Sequence, residues 1–220
     1  GVRSAAVESL LSRESTARDL MSAISTKAIP INSISLLHQQ RLTSHVDKEL
    51  QAEAKKLFDT SQTSDERTQL ISKYQSSISP NGDIPRGKQI FTQHCGTCHH
   101  FKGIGNKVGP DLTTLKNRSA NALVTAILDP GAAVEDKYLN YSLLTFDGVV
   151  HAGIIAGETS TALELLLADG KTKTIVRSDI ERLQTTGQSL MPEGMEKNIT
   201  PEQMSHLIAF LNGGSEITEG

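Results

Sequence analysis

Tryptophan is missing from this chain, and all aromatic residues together make up 4% of it. Whatever core its 220 residues form is therefore short of large side chains. Basic residues are not in excess: 22 Lys and Arg stand against 25 Asp and Glu, a formal net charge of -3. That balance gives no sign of a nucleic-acid-binding surface. No uninterrupted apolar run reaches the length of a membrane span, so no transmembrane segment is expected. No signal peptide is visible at the start. Nor does any nucleophile–base pair, carboxylate dyad or phosphate-binding loop emerge from the sequence.

Cysteine is scarce as well. There are two, both in Cys95-Gly96-Thr97-Cys98. A disulfide-built scaffold needs more. A structural zinc site needs a second spaced pair of ligands, and none follows. A thioredoxin-like redox pair belongs in a strand–helix–strand setting. Here a helical pattern precedes the pair and a glycine-rich loop, Gly103 to Pro110, follows it.

What is present reads in three stretches. Residues 1–78 read as helical. Leu10, Leu11, Leu20, Met21 and Ile24 form one apolar set; Ile34, Leu36, Leu37 and Leu42 a second; Leu50, Ala54, Leu57 and Phe58 a third. A fourth helix is predicted from Ser64 through Leu70, Ile71 and Tyr74. The breaker cluster Ser79-Pro80-Asn81-Gly82-Asp83 marks a domain boundary, giving domains 1–78 and 79–220. A helix starts near Asp83 with Pro85 in its first turn, and another runs over 119–128. From about 138 to 185 the pattern alternates, with hairpin turns at Asp147-Gly148 and Asp169-Gly170. Four or five antiparallel strands are expected there. The last helix has a capping box of Thr200 and Gln203, Pro201 at its first position, and an apolar stripe of Met204, Leu207, Ile208 and Leu211.

Cys95-x-x-Cys98-His99 is the attachment motif of c-type haem. Two thioethers must reach two vinyl groups on one porphyrin edge, and the next residue must turn its imidazole under the iron. One covalent haem c is expected, with Cys95 and Cys98 holding it and His99 ligating the metal. A buried macrocycle would also supply the apolar bulk that the aromatic count lacks. Candidates for the sixth ligand are Met191, Met195 and His151. Met191 sits in a loop before the last helix and is followed by Pro192. Met195 also suits a hydrophobic staple against that helix, Met204 a core position, and His151 a solvent-facing place on a strand. His94 and His100 are too close to the attachment site to reach the far face. Gly87 and Phe91 should meet Phe210, the glycine permitting a close helix crossing. Arg86, Lys102, Arg118 and Arg182 are possible propionate partners or plain solvated charges. His38 and His45 have no ligand context, so residues 1–78 are expected not to hold the haem.

Gly87, Phe91, the Cys-x-x-Cys-His motif, Gly109-Pro110-Asp111-Leu112, Ser189-Leu190-Met191-Pro192 and the Phe210 helix together resemble a class I cytochrome c. More narrowly, Arg86 to Phe91, Leu128-Asp129-Pro130, Asp147-Gly148 and Ser189 to Met195 resemble the haem-binding domain of Planctomycetes and Verrucomicrobia proteins. Met195 departs from the leucine expected there. The resemblance implies a mainly α fold: a class I cytochrome core with an inserted antiparallel β meander, preceded by a small helical-repeat-like region. It implies Met191 as distal ligand and a Pro110 carbonyl that orients His99. It implies one-electron transfer with redox partner proteins, among them a fused or partner dehydrogenase upstream, in a periplasmic or other extracytoplasmic setting. The start at Gly1-Val2-Arg3-Ser4 then reads as a cloning remnant or as the processed end of an excised fragment. A haem enzyme or a gas or redox sensor with an open or labile distal site is the alternative, and a structural docking module a third reading.

Overall fold

The computed structural model describes residues 2–58, 64–132 and 134–213. Among these are eight α-helices: α1 (Val2–Leu11), α2 (Glu14–Ser25), α3 (Leu36–Thr43), α4 (Lys48–Phe58), α5 (Ser64–Ser76), α6 (Ile84–His94), α7 (Ala120–Leu128) and α8 (Pro201–Gly213). Five strands lie in the chain between α7 and α8: β1 (Leu139–Thr145), β2 (Val150–Glu158), β3 (Ala162–Leu167), β4 (Thr172–Val176) and β5 (Ile180–Ser189). No helix among the described residues is long and apolar enough to cross a membrane.

The chain forms two compact units. One holds α1–α4 and the five strands; the other holds α5–α8. This grouping differs from the expected boundary near residue 79, and local bonding explains the difference. Tyr74 on α5 donates its hydroxyl to the Ile199 carbonyl at 2.8 Å, and Arg67 donates to the Leu128 carbonyl at 2.7 Å. Gln75 donates to Thr125 on α7. These bonds run from α5 to the segments around α7 and α8, across the breaker cluster.

In the sheet unit, the single apolar set expected over residues 10–24 is broken into α1 and α2 at Ser12-Arg13. There the chain pairs with the sheet instead: Arg13 bridges Val149, and the Val150 amide donates to the Ser12 carbonyl at 2.8 Å. Leu11, Leu20, Met21, Ile24, Leu42, Leu50, Ala54 and Phe58 pack into one buried cluster with Val7, Ala17 and Ile34. The helical periodicity of the first 58 residues is thus a real packing face.

The sheet is antiparallel with strand order β4-β3-β2-β1-β5. The two expected Asp-Gly turns link β1 to β2 and β3 to β4, and Gly148 and Gly170 have φ of +77° and +82°, where a Cβ would be strained. β5 leaves the meander order and pairs with β1 on the far edge. Only the 3-10 turn Arg177–Asp179 joins the two edge strands. A flat five-stranded sheet would separate its edges by roughly 19 Å. Such a short link spans about 14 Å, so the sheet must curl. Leu143, Leu163, Leu165 and Ile175 fill one cluster of it, with Ile155, Leu167 and Ile180 packed alongside.

In the other unit, α6 and α8 cross closely. Asp83 caps α6 by accepting from the Arg86 amide at 2.9 Å. The capping box of α8 is complete: the Thr200 amide donates to Gln203 Oε1 at 2.8 Å, and the Gln203 amide donates to Thr200 Oγ1 at 3.3 Å. The staple positions around that cap fall on Ile199 and Met204, both buried, rather than on Met195. Met195 instead begins the 3-10 turn Met195–Lys197, and is itself buried.

Candidate haem-attachment site

α6 delivers the cysteine motif. The Cys95 amide donates to the Phe91 carbonyl at 2.8 Å, and the chain then tightens into a turn in which the amides of Cys98 and His99 both donate to the Cys95 carbonyl, at 3.0 and 2.9 Å. Two thiols and one imidazole thus issue from a single turn. The following loop folds back onto it. The Asn106 amide donates to the Gly96 carbonyl at 3.0 Å, and the amides of Val108 and Gly109 donate to the Cys98 carbonyl at 3.0 and 2.7 Å. The approach leaves no room for side chains at two points. A Cβ on Gly105, whose φ is +85°, would lie 2.2 Å from the His99 carbonyl, and one on Gly109 would lie 2.7 Å from His99 Cε1.

His99 is held by its Nδ1, 2.9 Å from the Pro110 carbonyl oxygen. A carbonyl only accepts, so Nδ1 carries the proton and donates. In the neutral ring Nε2 then has a free lone pair, and it makes no hydrogen bond among the described residues. Burial lowers the His99 pKa, against a smaller raising effect of the Pro110 bond, which favours the neutral ligand form. Cys95 and Cys98 are half-buried free thiols. Burial, with Cys98 nearby, pushes the Cys95 thiol up to about 12, and burial raises Cys98 as well. A dithiol redox enzyme needs the opposite, a depressed thiol pKa. Two unpaired thiols and an imidazole whose Nδ1 is fixed and whose Nε2 is open are the donor set that covalent haem c requires.

Aromatic packing supports this turn from behind. Phe91, Phe101 and Phe210 meet with ring centroids 5.3 to 6.0 Å apart. The expected close crossing is present: a Cβ on Gly87 would lie 2.0 Å from the His206 carbonyl and 2.6 Å from Phe210 Cβ. His206, which the sequence did not single out, locks the same crossing by accepting the Asp83 amide at Nδ1, 2.9 Å away. Arg118 is not a free propionate partner. Its guanidinium lies 5.4 Å from the Phe101 ring centre and donates to the carbonyls of Leu112, Thr113 and Leu211. His100 bonds Asp111 at 3.0 Å and does not face the attachment turn as a second ligand.

The structure brings Cys95, Cys98 and His99 together in the unit of α5–α8, which also contains Met195 and Met204. Met191 belongs to the sheet unit. There its amide donates to Ser189 Oγ at 3.1 Å, and its carbonyl accepts from Gln40 at 3.4 Å. His151 is half-buried on β2 rather than solvent-facing, and burial, with Lys173 and Arg41 nearby, brings its pKa down to about 4. Gln40 was missed for a plain reason: its role is set by contacts about 150 residues away in the chain, which no local pattern announces.

Comparison with known proteins agrees with this geometry over part of the chain. Residues 84–138 match the family model described as Cytochrome c. The match ends where β1 is about to begin. Over 49 residues the chain is 39% identical to a protein named Cytochrome c from Arabidopsis thaliana, a stretch that is 22% of this chain and 44% of that protein. The chain thus spans less than half the length of that curated relative. These likenesses support a class I c-type cytochrome segment at residues 84–138, whose cofactor is covalently bound haem c and whose attachment motif Cys95-x-x-Cys98-His99 fits.

Proposed function

We propose that this chain is a one-electron carrier, with haem c bound through Cys95 and Cys98, His99 as proximal ligand and Met191 as distal ligand. The observation that carries the reading is the imidazole held at Nδ1 by Pro110, with its Nε2 open beside two free thiols. Once bound, the haem supplies reversible one-electron chemistry at iron. Cys95 and Cys98 would attach it, and the Pro110 carbonyl would fix the orientation of the His99 imidazole. The Pro110 bond raises the basicity of His99, and a Met191 thioether ligand would raise the potential. In this reading the five strands are an insert in a class I cytochrome core of the Planctomycetes and Verrucomicrobia type. Its partners are redox proteins, including a dehydrogenase fused to it or docking on it, in an extracytoplasmic compartment.

The alternative is a haem enzyme or a gas or redox sensor with an open or labile distal site. A single experiment separates the two: spectra of both oxidation states, including the Met-to-iron charge-transfer region, with carbon monoxide added to the reduced protein. A carrier shows the charge-transfer band and resists carbon monoxide. Rapid carbon monoxide binding without the band establishes the open site.

A further inference from the structure

We infer that Gln40, on α3, is a positioning residue for the Met191 loop, so that the first helical region takes part in setting the axial ligand. The inference rests on the reading of Met191 as distal ligand. Its basis lies wholly inside the sheet unit. Gln40 Nε2 donates to the Ser189 carbonyl at 2.6 Å and to the Met191 carbonyl at 3.4 Å. It therefore grips the chain on both sides of Leu190, just where β5 ends.

Two more bonds tie the same strand to the same helical region. Gln184 Nε2 donates to the His45 carbonyl at 3.3 Å, and Arg182 Nη1 donates to the Val46 carbonyl at 3.3 Å. Residues 182 and 184 share one face of β5, so the grip repeats along the strand. Beneath it Val46 packs in a buried cluster with Leu144 and Val150. Ser189, whose carbonyl Gln40 holds, also pairs with Leu139 on β1, and its Oγ accepts the Met191 amide. The segment that presents Met191 is thus fastened from a helix, a strand and its own turn.

The chemistry at Gln40 also favours a holding role over a stabilising one. Its Oε1 is buried and has no hydrogen-bond partner among the described residues. Burying half an amide unpaired is unfavourable. An apolar side chain would avoid that cost but would release the two carbonyls. What Gln40 uniquely supplies is a donor that reaches both.

The test uses the full-length haem protein and three readouts: the Met-to-iron charge-transfer band, the carbon monoxide on-rate of the reduced form, and hydrogen exchange. Gln40→Leu should keep the haem attached, weaken the band and open the iron to carbon monoxide about tenfold faster, the scale of one or two lost neutral hydrogen bonds. Gln40→Asn, too short to reach but still polar, should do the same if the leucine variant does not fold. In the unaltered protein, the amides around Leu190 and Met191 should exchange in step with those of α3. Met191→Ala is the control. If it removes the band while both Gln40 variants leave band and on-rate unchanged, the positioning role is refuted and the ligand stands. If Met191→Ala leaves the band intact, the ligand assignment itself falls and the role of Gln40 falls with it. Exchange at 190–191 that is fast while α3 stays protected also overturns the role.

Discussion

The two units solve the same problem, burying enough apolar surface, by different means. The unit of α5–α8 uses aromatic rings and missing side chains: Phe91, Phe101 and Phe210 meet one another, and Gly87, Gly105 and Gly109 let backbone come within contact of backbone or ring. The sheet unit uses aliphatic side chains in ordinary quantity, in a helical cluster and a curled sheet. Of its two phenylalanines one is buried and the other, Phe146, is 70% exposed. The aromatic residues divide evenly between the units, but the close ring-to-ring contacts join Phe91, Phe101 and Phe210, beside the attachment turn. The polar interiors differ as well. The sheet unit buries imidazoles: His38 is bridged by an exposed Glu8, which also pairs Arg41, and His45 is buried with Nε2 unpartnered. The haem unit fixes its key imidazole by a backbone carbonyl.

The largest expected effect erases the distinctive content of one unit. Wild-type chain should carry one haem that survives acid-acetone extraction, because it has one attachment motif. Cys95→Ala with Cys98→Ala should carry none that survives, and the haem unit should lose its porphyrin absorbance. Extractable haem in the wild type would break the comparison at its root. Next comes deletion of residues 1–61. This removes the cluster built from Leu20, Met21, Ile24, Leu42 and Leu50, along with the Arg13–Val149 bridge. Far-UV circular dichroism should show the strand signal collapsing while covalent haem is retained. Extending the deletion to residue 78 should then also lower the melting temperature of the haem unit, because Tyr74 and Arg67 go with it. Unchanged strand content after the first deletion would mean the helices and the sheet do not form one unit.

How much of this could be read in advance follows the range of the interactions. The attachment turn, the two Asp-Gly hairpins, the Asp83 and Thr200 caps and the Gly87 crossing are written in a few adjacent residues or in a spacing along one helix, and all appear at those residues. β5 is polar along most of its length and joins the sheet at an edge, so its alternation is faint. The grouping of α1–α4 with the strands rests on bonds between residues more than a hundred positions apart, such as Gln184 to His45. The break between α1 and α2 is likewise invisible until Val149 arrives to pair with Arg13. His151, expected to face solvent just after a turn, is half-buried, and Lys173 and Arg41 stand near enough to act on its charge.

A smaller effect sharpens the contrast in packing. Gly87→Ala should destabilise the haem unit by about 1–3 kcal/mol, the usual scale of overpacking, because its new Cβ meets the His206 carbonyl. The same substitution at Gly148, where no atom lies within 4 Å of the added Cβ, tests backbone strain alone. Thermal melts followed at the haem and at the strands should assign each loss to its own unit. Acid should act the other way round. His45 is brought down to about 4 by burial, and Glu8 to about 2, chiefly by its hydrogen bond to His38. For both groups the unfolded chain binds protons more readily. Their contribution to stability is therefore full above about pH 6.5 for His45 and above about 4.5 for Glu8, and falls as pH drops through each folded value. Strand ellipticity should be lost before the haem unit melts as pH falls from 6.5 towards 2. Simultaneous loss would show that these two groups do not set acid sensitivity.

The smallest effect concerns a cap. In α8 the Thr200 and Gln203 side chains each satisfy the other's backbone amide, which removes two of the unpaired donors every helix start leaves. Thr200→Ala removes one acceptor and should cost about 1 kcal/mol. The loss should appear in the haem unit, since α8 carries Phe210 and His206, which pack on Phe91 and hold Asp83. It should not reach the covalent bonds at Cys95 and Cys98, whose turn is built by α6 and the loop after it. The expected result is a lowered melting temperature with an unchanged haem content and unchanged strand ellipticity. Gln203→Ala should lose less, since Thr200 Oγ1 still accepts the Gln203 amide. If Thr200→Ala instead disturbs the strands as much as the haem, the cap couples both units, and the separation drawn between an aromatic haem unit and an aliphatic sheet unit does not extend to their stability.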